Sequence, residues 1–369
     1  MPGPTILILS ARTGGGHGRV AQTLRKHLLT LDPTCNVSLV DGLELSDLGI
    51  RVDPARTFLT LTTTLIRLYN FNYRLTNSGR TAPLLRWIIR QSFGRTLARI
   101  VQDHAPDVVI STHHFISPAT VAESGVLPPF LMVVSDLGEP HRLWFDPRLQ
   151  TVYVPSDDMA EYARRCLTPH FGTAQVEMLG FPIESGAAGS TSPNPREGGL
   201  LVMGGGAGTG AIDRLVATLS QGLPEHRIVV VCGWNDRLRR TIANWQRSNI
   251  EVHGFVDNVP ELMAQSDMVI SKAGPVTIME AVAAGRPLII TNWVGLQERD
   301  NVDFVVNHGL GLYCPEASEL CAAVRTVYGR YAEFVAAKPR NVEHGPERIA
   351  ADVLNRWRNS VGTPGSARH

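Results

Sequence analysis

Residues 266–281 read SDMVISKAGPVTIMEA, and the change of pattern inside this stretch decides the fold. Met268 to Ser271 is a short apolar run with no polar alternation, as expected of a strand buried on both faces of a parallel sheet. Small residues follow, Lys272-Ala273-Gly274-Pro275-Val276-Thr277, and then a helical segment that carries Glu280. A helix opened by small residues offers unpaired backbone N–H groups and a positive dipole end, which suit a diphosphate. Glu280, one turn in, lies at the depth where a carboxylate accepts bonds from ribose hydroxyls. An ordinary acid favoured by the dipole near a helix start would look the same.

Working outward, the same strand-then-helix rhythm recurs. Apolar runs stand at Thr5–Ser10, Val37–Val40, Asp107–Ser111, Phe130–Ser135 and Thr151–Pro155, then at Leu200–Met203, Arg227–Cys232, Ile250–His253 and Pro287–Thr291. Helices between such strands imply right-handed βαβ crossovers, so the fold class is α/β with two doubly wound domains in tandem. The expected division is a first domain over 1–185, a linker over 186–199 (GAAGSTSPNPREGG) and a second domain over 200–345. A helix at 346–360 is expected to pack back on the first domain, and 361–369 to be a disordered tail.

Two more strand-to-helix turns are rich in glycine. Thr13-Gly14-Gly15-Gly16-His17-Gly18 lets a ligand approach the backbone and puts an imidazole at the sheet edge where doubly wound folds bind ligands. A histidine there suits a general base near neutral pH; a tight turn whose histidine caps the helix is the plainer alternative. The second turn, Met203-Gly204-Gly205-Gly206-Ala207-Gly208-Thr209-Gly210, fits a dinucleotide pattern only loosely, since Asp236 lies too far on for the usual acid. After the run ending at Thr291 comes Gly295-Leu296-Gln297-Glu298-Arg299-Asp300-Asn301, a polar cluster able to read sugar hydroxyls.

Composition bounds the rest. The 369 residues carry a net charge of +1, which predicts no global pull toward nucleic acid. Five scattered cysteines form no metal-ligand pattern and fit reduced thiols in a cytoplasm. No apolar run approaches a membrane span, and no cleavable leader is seen, so membrane contact is expected to be peripheral. Between Asp53 and Asp103 there is no acid, yet Arg56, Arg67, Arg74, Arg80, Arg86, Arg90, Arg95 and Arg99 occur there. Phe58, Tyr69, Phe71, Tyr73, Trp87 and Phe93 are interleaved with them. Basic and aromatic residues on amphipathic helices suit an anionic bilayer. A nucleic-acid stripe, or a plain core face with solvated arginines, are the competing readings.

With these stretches assembled, the chain resembles the monogalactosyldiacylglycerol synthase and processive diacylglycerol glucosyltransferase family, and more distantly the peptidoglycan N-acetylglucosaminyltransferase that acts on a lipid carrier. The resemblance runs from about Ile6 to Gly311. It is carried by TGGGH (13–17), SDLGEPHRLWF (135–145), LGFPI (179–183), MGGGAGTG (203–210), HGFVDNVPELM (253–263), SDMVISKAGPVTIMEA (266–281) and GLQERDNVDFVVNHGLG (295–311), in that order. It implies a GT-B fold and an inverting transfer of glucose or galactose from a UDP-sugar to a membrane lipid such as diacylglycerol, with no cofactor and no metal. It further implies a cytoplasmic protein peripheral on the inner face of the cell membrane. His17 matches the general base, with Asp136 and His141 as substitutes on the same sheet edge. Gly15, Gly16, Asp136, His141 and Trp144 fall on the acceptor and lipid side. On the donor side, the Phe255–Val256 backbone would read uracil, and Gly205 and Gly206 the diphosphate. Lys272, Ala273, Gly274, Pro275 and Thr277 would surround that diphosphate, Glu280 would read the ribose, and Gln297, Glu298 and Asn301 the sugar. The chain departs from the family where its first helix opens Gly18-Arg19-Val20 instead of Arg-Ala-Ser. An acceptor that is soluble or polyprenyl-linked, or a UDP-sugar epimerase, remain the alternatives.

Overall fold

The structure, a computed structural model, describes residues 3–12, 15–53, 57, 60–61, 64–122, 126–168, 174–184, 198–337 and 344–362. Thr13, Gly14, Arg56, Phe58, nearly all of the expected linker and most of the expected tail lie outside them.

The apolar runs become two six-stranded sheets. The front sheet contains β1 (Thr5–Ser10), β2 (Asn36–Asp41), β3 (Val108–Ser111), β4 (Phe130–Val133), β5 (Thr151–Val154) and β6 (Gln175–Met178), in the order β2-β1-β3-β4-β5-β6. The rear sheet contains β7 (Leu200–Met203), β8 (Ile228–Val231), β9 (Ile250–His253), β10 (Met268–Lys272), β11 (Leu288–Asn292) and β12 (Gly311–Tyr313), in the order β12-β11-β10-β7-β8-β9. Every ladder is parallel. Strands β3, β4, β5, β7 and β8 are buried along their whole lengths, because helices cover both faces and leave no place for alternating polar residues. Edge strands β6 and β12 escape the sequence reading: QVEM is half polar and GLY only three residues long, so neither shows a buried run.

Each strand order reverses once, at β1/β3 in front and at β10/β7 behind. At a reversal the connections leave on opposite faces, and a crevice opens at the C-terminal strand ends. The glycine turn after β1 therefore meets Thr112–His114 after β3. Behind, the turn after β7 meets Lys272 at the end of β10; a Cβ on Gly205, whose φ is +69°, would lie 3.1 Å from Lys272 Cε.

The last helix, Gly345–Gly362, packs along the first, Gly16–Leu31. Ile349, Ala350, Val353 and Leu354 are buried, and Tyr153 donates from its hydroxyl to Asp352 Oδ2 at 2.7 Å. The last described helix thus packs on the front half, after the strands of the rear one.

Candidate functional site

The front wall begins with the helix that follows β1. Its N-cap is Gly15, with φ +92° and no side-chain cap, so His17 does not cap the helix. The ring instead turns to the switch point: Nδ1 lies 2.8 Å from the Thr112 carbonyl oxygen and 3.0 Å from Ser135 Oγ. A carbonyl only accepts, so Nδ1 carries the proton and Nε2 is left as the acceptor. Burial pushes the imidazole down to about 4, the Thr112 bond opposing this, so the ring is neutral at pH 7.

The neighbouring candidates differ. Asp136 accepts from Trp144 Nε1 at 2.9 Å, and burial, which outweighs that bond, pushes its carboxyl up to about 7. His141 has both ring nitrogens engaged: Nδ1 accepts from the Leu143 N–H at 3.2 Å, and Nε2 faces Thr76 Oγ1 at 3.1 Å. That corrects its place as a substitute base, since no ring nitrogen is left to take a proton. Trp144 lies on the same front wall. It is fully buried, with its ring 5.8 Å from the His17 ring.

Sequence reading passed over His113 and His114, although two histidines directly after a buried strand at the switch point were the available signal. His113 packs edge-on to His17 at 4.7 Å and stacks on His114 at 4.6 Å. Ring nitrogens of His17, His113 and His114 lie within 4.8 Å of one another, the one grouping among the described residues with metal-ligand spacing. His113 Nδ1 accepts from the Phe115 N–H at 3.2 Å, so its proton is on Nε2 and in this tautomer neither ring nitrogen offers a lone pair to a metal.

The rear wall is built on the helix Pro275–Ala283. The Ala273 N–H donates to Asn292 O at 2.8 Å and the Gly274 N–H to Lys272 O at 2.8 Å, while Pro275 has none. The N–H groups open to an anion are therefore those of Val276 and Thr277, two of the first-turn donors that have no partner within a helix. Of the N–H groups expected to meet the diphosphate, those of Ala273 and Gly274 are thus already paired within the protein. Glu280 lies in the second turn of the helix, 8% exposed, and Arg19 Nε from the front half lies 2.6 Å from its Oε1. Burial, partly opposed by Arg19, pushes the Glu280 carboxyl up to about 7.

Glu298 is buried, paired with Lys272 Nζ, and accepts from the Val294 N–H at 2.8 Å. Asn301 is wholly buried and donates from Nδ2 to Ala273 O at 2.9 Å. It braces the turn after β10, and its Oδ1 is buried with no partner among the described residues. Gln297 Oε1 is buried with no partner among the described residues. Val256 is partly buried against the core, whereas Phe255 is 52% exposed and stacks on Trp234 at 3.8 Å, with planes 11° apart. Trp234 was not singled out, and its position just past a buried strand was the signal.

The halves approach closely here. A Cβ on Gly16 would lie 3.2 Å from Val276 Cγ2, so Gly16 serves the approach of the two walls as well as the front turn. The helix Ile66–Thr76 bridges the rims: Asn70 Oδ1 accepts from the Leu296 N–H at 3.0 Å, and the Tyr73 ring packs edge-on to His141 at 5.0 Å. Its other face leaves Leu68, Phe71 and Leu75 exposed, and the helix Ala82–His104 exposes Leu84, Trp87 and Ile88. Arg67, Arg74 and Arg80 are exposed beside them. Arg86 is not: it is buried and donates to Arg142 O at 3.0 Å and Phe145 O at 2.9 Å, bracing the turn that carries Trp144. Among the described residues no helix is long and apolar enough to cross a membrane.

Comparison with known proteins agrees with this architecture. Residues 17–183 match the monogalactosyldiacylglycerol synthase family model, and residues 199–330 match the glycosyltransferase family 28 C-terminal domain. The chain is 28% identical to the chloroplastic monogalactosyldiacylglycerol synthase of Spinacia oleracea, over 91% of this chain and 68% of that protein. It thus spans about two thirds of that relative's length. Among solved structures, a calicheamicin glycosyltransferase shares the fold with TM-score 0.60 at 15% identity, covering 98% of this chain and 100% of that one. The UDP-GlcNAc 2-epimerase of Neisseria meningitidis, bound to UDP-GlcNAc, does so with TM-score 0.57 at 13% identity, covering 96% and 100%. Fold alone therefore does not separate transfer from epimerisation. The two family models follow one another in the order of the two sheets, so the chain is similar to monogalactosyldiacylglycerol synthases over its front half and to family 28 glycosyltransferases over its rear half, on a GT-B fold.

Proposed function

We propose that the protein transfers a hexose, glucose or galactose, from a UDP-sugar to the hydroxyl of a membrane lipid of the diacylglycerol type, with inversion and without a metal or cofactor. The observation that carries this reading is the His17 tautomer: a neutral imidazole, its Nδ1 tied to the Thr112 carbonyl, keeps Nε2 for a proton at the edge of the cleft. In the reaction the lipid O–H proton passes to Nε2 as the oxygen attacks the anomeric carbon. The bond from that carbon to the diphosphate breaks on the opposite face, and UDP leaves with the electron pair. Negative charge building on the diphosphate is met by the Val276 and Thr277 N–H groups, the helix dipole and Lys272. Gln297 Oε1, buried and unpaired, is an acceptor suited to a sugar hydroxyl. A bound diphosphate would also raise the basicity of His17 from its low resting value.

The acceptor follows from the surface. The exposed apolar faces of the helices Ile66–Thr76 and Ala82–His104, flanked by arginines, suit an anionic bilayer, so the protein sits peripherally on the inner face of the cell membrane. The test is to incubate the protein with UDP-glucose or UDP-galactose and diacylglycerol vesicles, and to weigh the lipid products. A hexosyl lipid is expected. Free epimerised donor, or transfer only to soluble acceptors, would refute the reading.

The donor side carries its own expectations. Glu280→Ala is expected to weaken UDP-glucose binding by about ten- to a hundredfold, since ribose hydroxyls lose a charged acceptor in a buried place. Calorimetry without acceptor checks this, and wild-type affinity would contradict it. The ionised carboxylate is the form that binds, and its value of about 7 lies within the accessible range. Lowering the pH through 7 protonates it, so affinity is expected to be flat above about pH 8 and to fall about tenfold by pH 6. Glu280→Gln should abolish that slope.

A further inference from the structure

We propose that Arg19 is a positioning residue of the donor site supplied by the opposite half of the molecule: it fixes the Glu280 carboxylate for the ribose and so ties donor binding to the placement of His17. This rests on the reading of Glu280 as the ribose acceptor.

The geometry is specific. Arg19 and His17 lie in the same first turn of the Gly16–Leu31 helix. Arg19 Nε is 2.6 Å from Glu280 Oε1, and the guanidinium is 31% exposed while the carboxylate is 8% exposed. Among the described residues no other cation pairs with Glu280. A carboxylate that buried is costly to ionise without a partner, and a neutral acid is a weaker acceptor for ribose hydroxyls. Arg19 therefore supplies what Glu280 needs in order to bind as an anion. Because Glu280 belongs to the helix that also presents the Val276 and Thr277 amides, the ion pair spans the cleft between the anion site and the base. Gly16 fits this arrangement, since its missing side chain lets the turn come against Val276. When Arg19 closes on Glu280, His17, two residues earlier, is carried to a fixed place relative to the donor. The two signals are separate in the sequence, and only the packing of the halves joins them.

Arginine has a consequence that lysine would only partly reproduce. A planar guanidinium holds a carboxylate in one orientation, whereas an ammonium supplies charge without that constraint. Arg19→Ala is thus expected to weaken UDP-glucose binding about tenfold and to lower kcat at saturating donor about tenfold. Arg19→Lys should recover most of the binding and less of the turnover.

The test is a double-mutant cycle on the full chain, with UDP-glucose calorimetry and steady-state rates for Arg19→Ala, Arg19→Lys, Glu280→Gln and Arg19→Ala/Glu280→Gln, and thermal unfolding to confirm each is folded. If Arg19 acts through Glu280, the double variant binds no more weakly than Glu280→Gln alone, and lysine rescues binding. Full additivity of the two losses would overturn the proposal, as would tighter or unchanged binding in Arg19→Ala while Glu280→Gln binds weakly. Wild-type affinity in Glu280→Gln would instead overturn the ribose reading, and the proposal with it.

Discussion

Replacing His17 by alanine is expected to lower kcat by roughly two to four orders of magnitude while UDP affinity barely changes. The ring sits on the front wall, and the amides, Glu280 and Lys272 that would hold the nucleotide are on the rear one. Its hydrogen bonds run to Thr112 O and Ser135 Oγ, both in the front half, so its loss leaves the donor wall intact. A competing group on the same sheet edge is Asp136, whose carboxyl is pushed up to about 7 by burial. Asp136 already accepts from Trp144 Nε1, which is a supporting contact. Asp136→Asn keeps the shape and can still accept that bond, so turnover is expected to remain within about tenfold of wild type. Rates from saturating donor and acceptor decide between them. A large loss in Asp136→Asn with little in His17→Ala would move the base to the carboxylate.

The second large effect concerns the surface. Substituting Arg67, Arg74 and Arg80 by serine together is expected to weaken binding to anionic vesicles by about a hundredfold, at roughly 1 kcal/mol for each arginine near the bilayer. That loss should shrink as salt rises, because screening weakens the wild-type attraction too. Phe71→Ser with Trp87→Ser should also release the protein, but independently of salt, since what is lost is buried apolar area. Phe71 is 64% exposed and Trp87 58%, so neither change opens a cavity and unfolding temperatures should stay put. UDP affinity should not move in either variant. Vesicle flotation with and without anionic lipid reads both. Unaltered flotation would make these faces ordinary solvated surface and would remove the basis for a bilayer substrate.

The sequence by itself determined the two-sheet α/β plan, the glycine turns at the strand ends and the family resemblance. Each of these is written in local patterns: unbroken apolar runs in strands covered on both faces, glycine where a turn needs a positive φ, and motifs in a set order. The helix at residues 66–76 shows where that stops. Its alternation of aromatic and basic residues was legible, but Tyr69 and Tyr73 face the cleft while Phe71 faces outward, and only packing assigns the faces. The same holds for Arg86, legible as one more basic residue and buried as a brace. Tertiary structure alone decided the His17 tautomer, which hangs on a carbonyl 95 residues away. It alone showed that the Ala273 and Gly274 amides are already spent, that Asn301 and Trp144 are walled in, and that Arg19 meets Glu280. A residue's type and spacing are local properties. Its hydrogen-bond partners and the dielectric around it are set by segments distant in the chain, and those arrive only when the sheets and their helices pack.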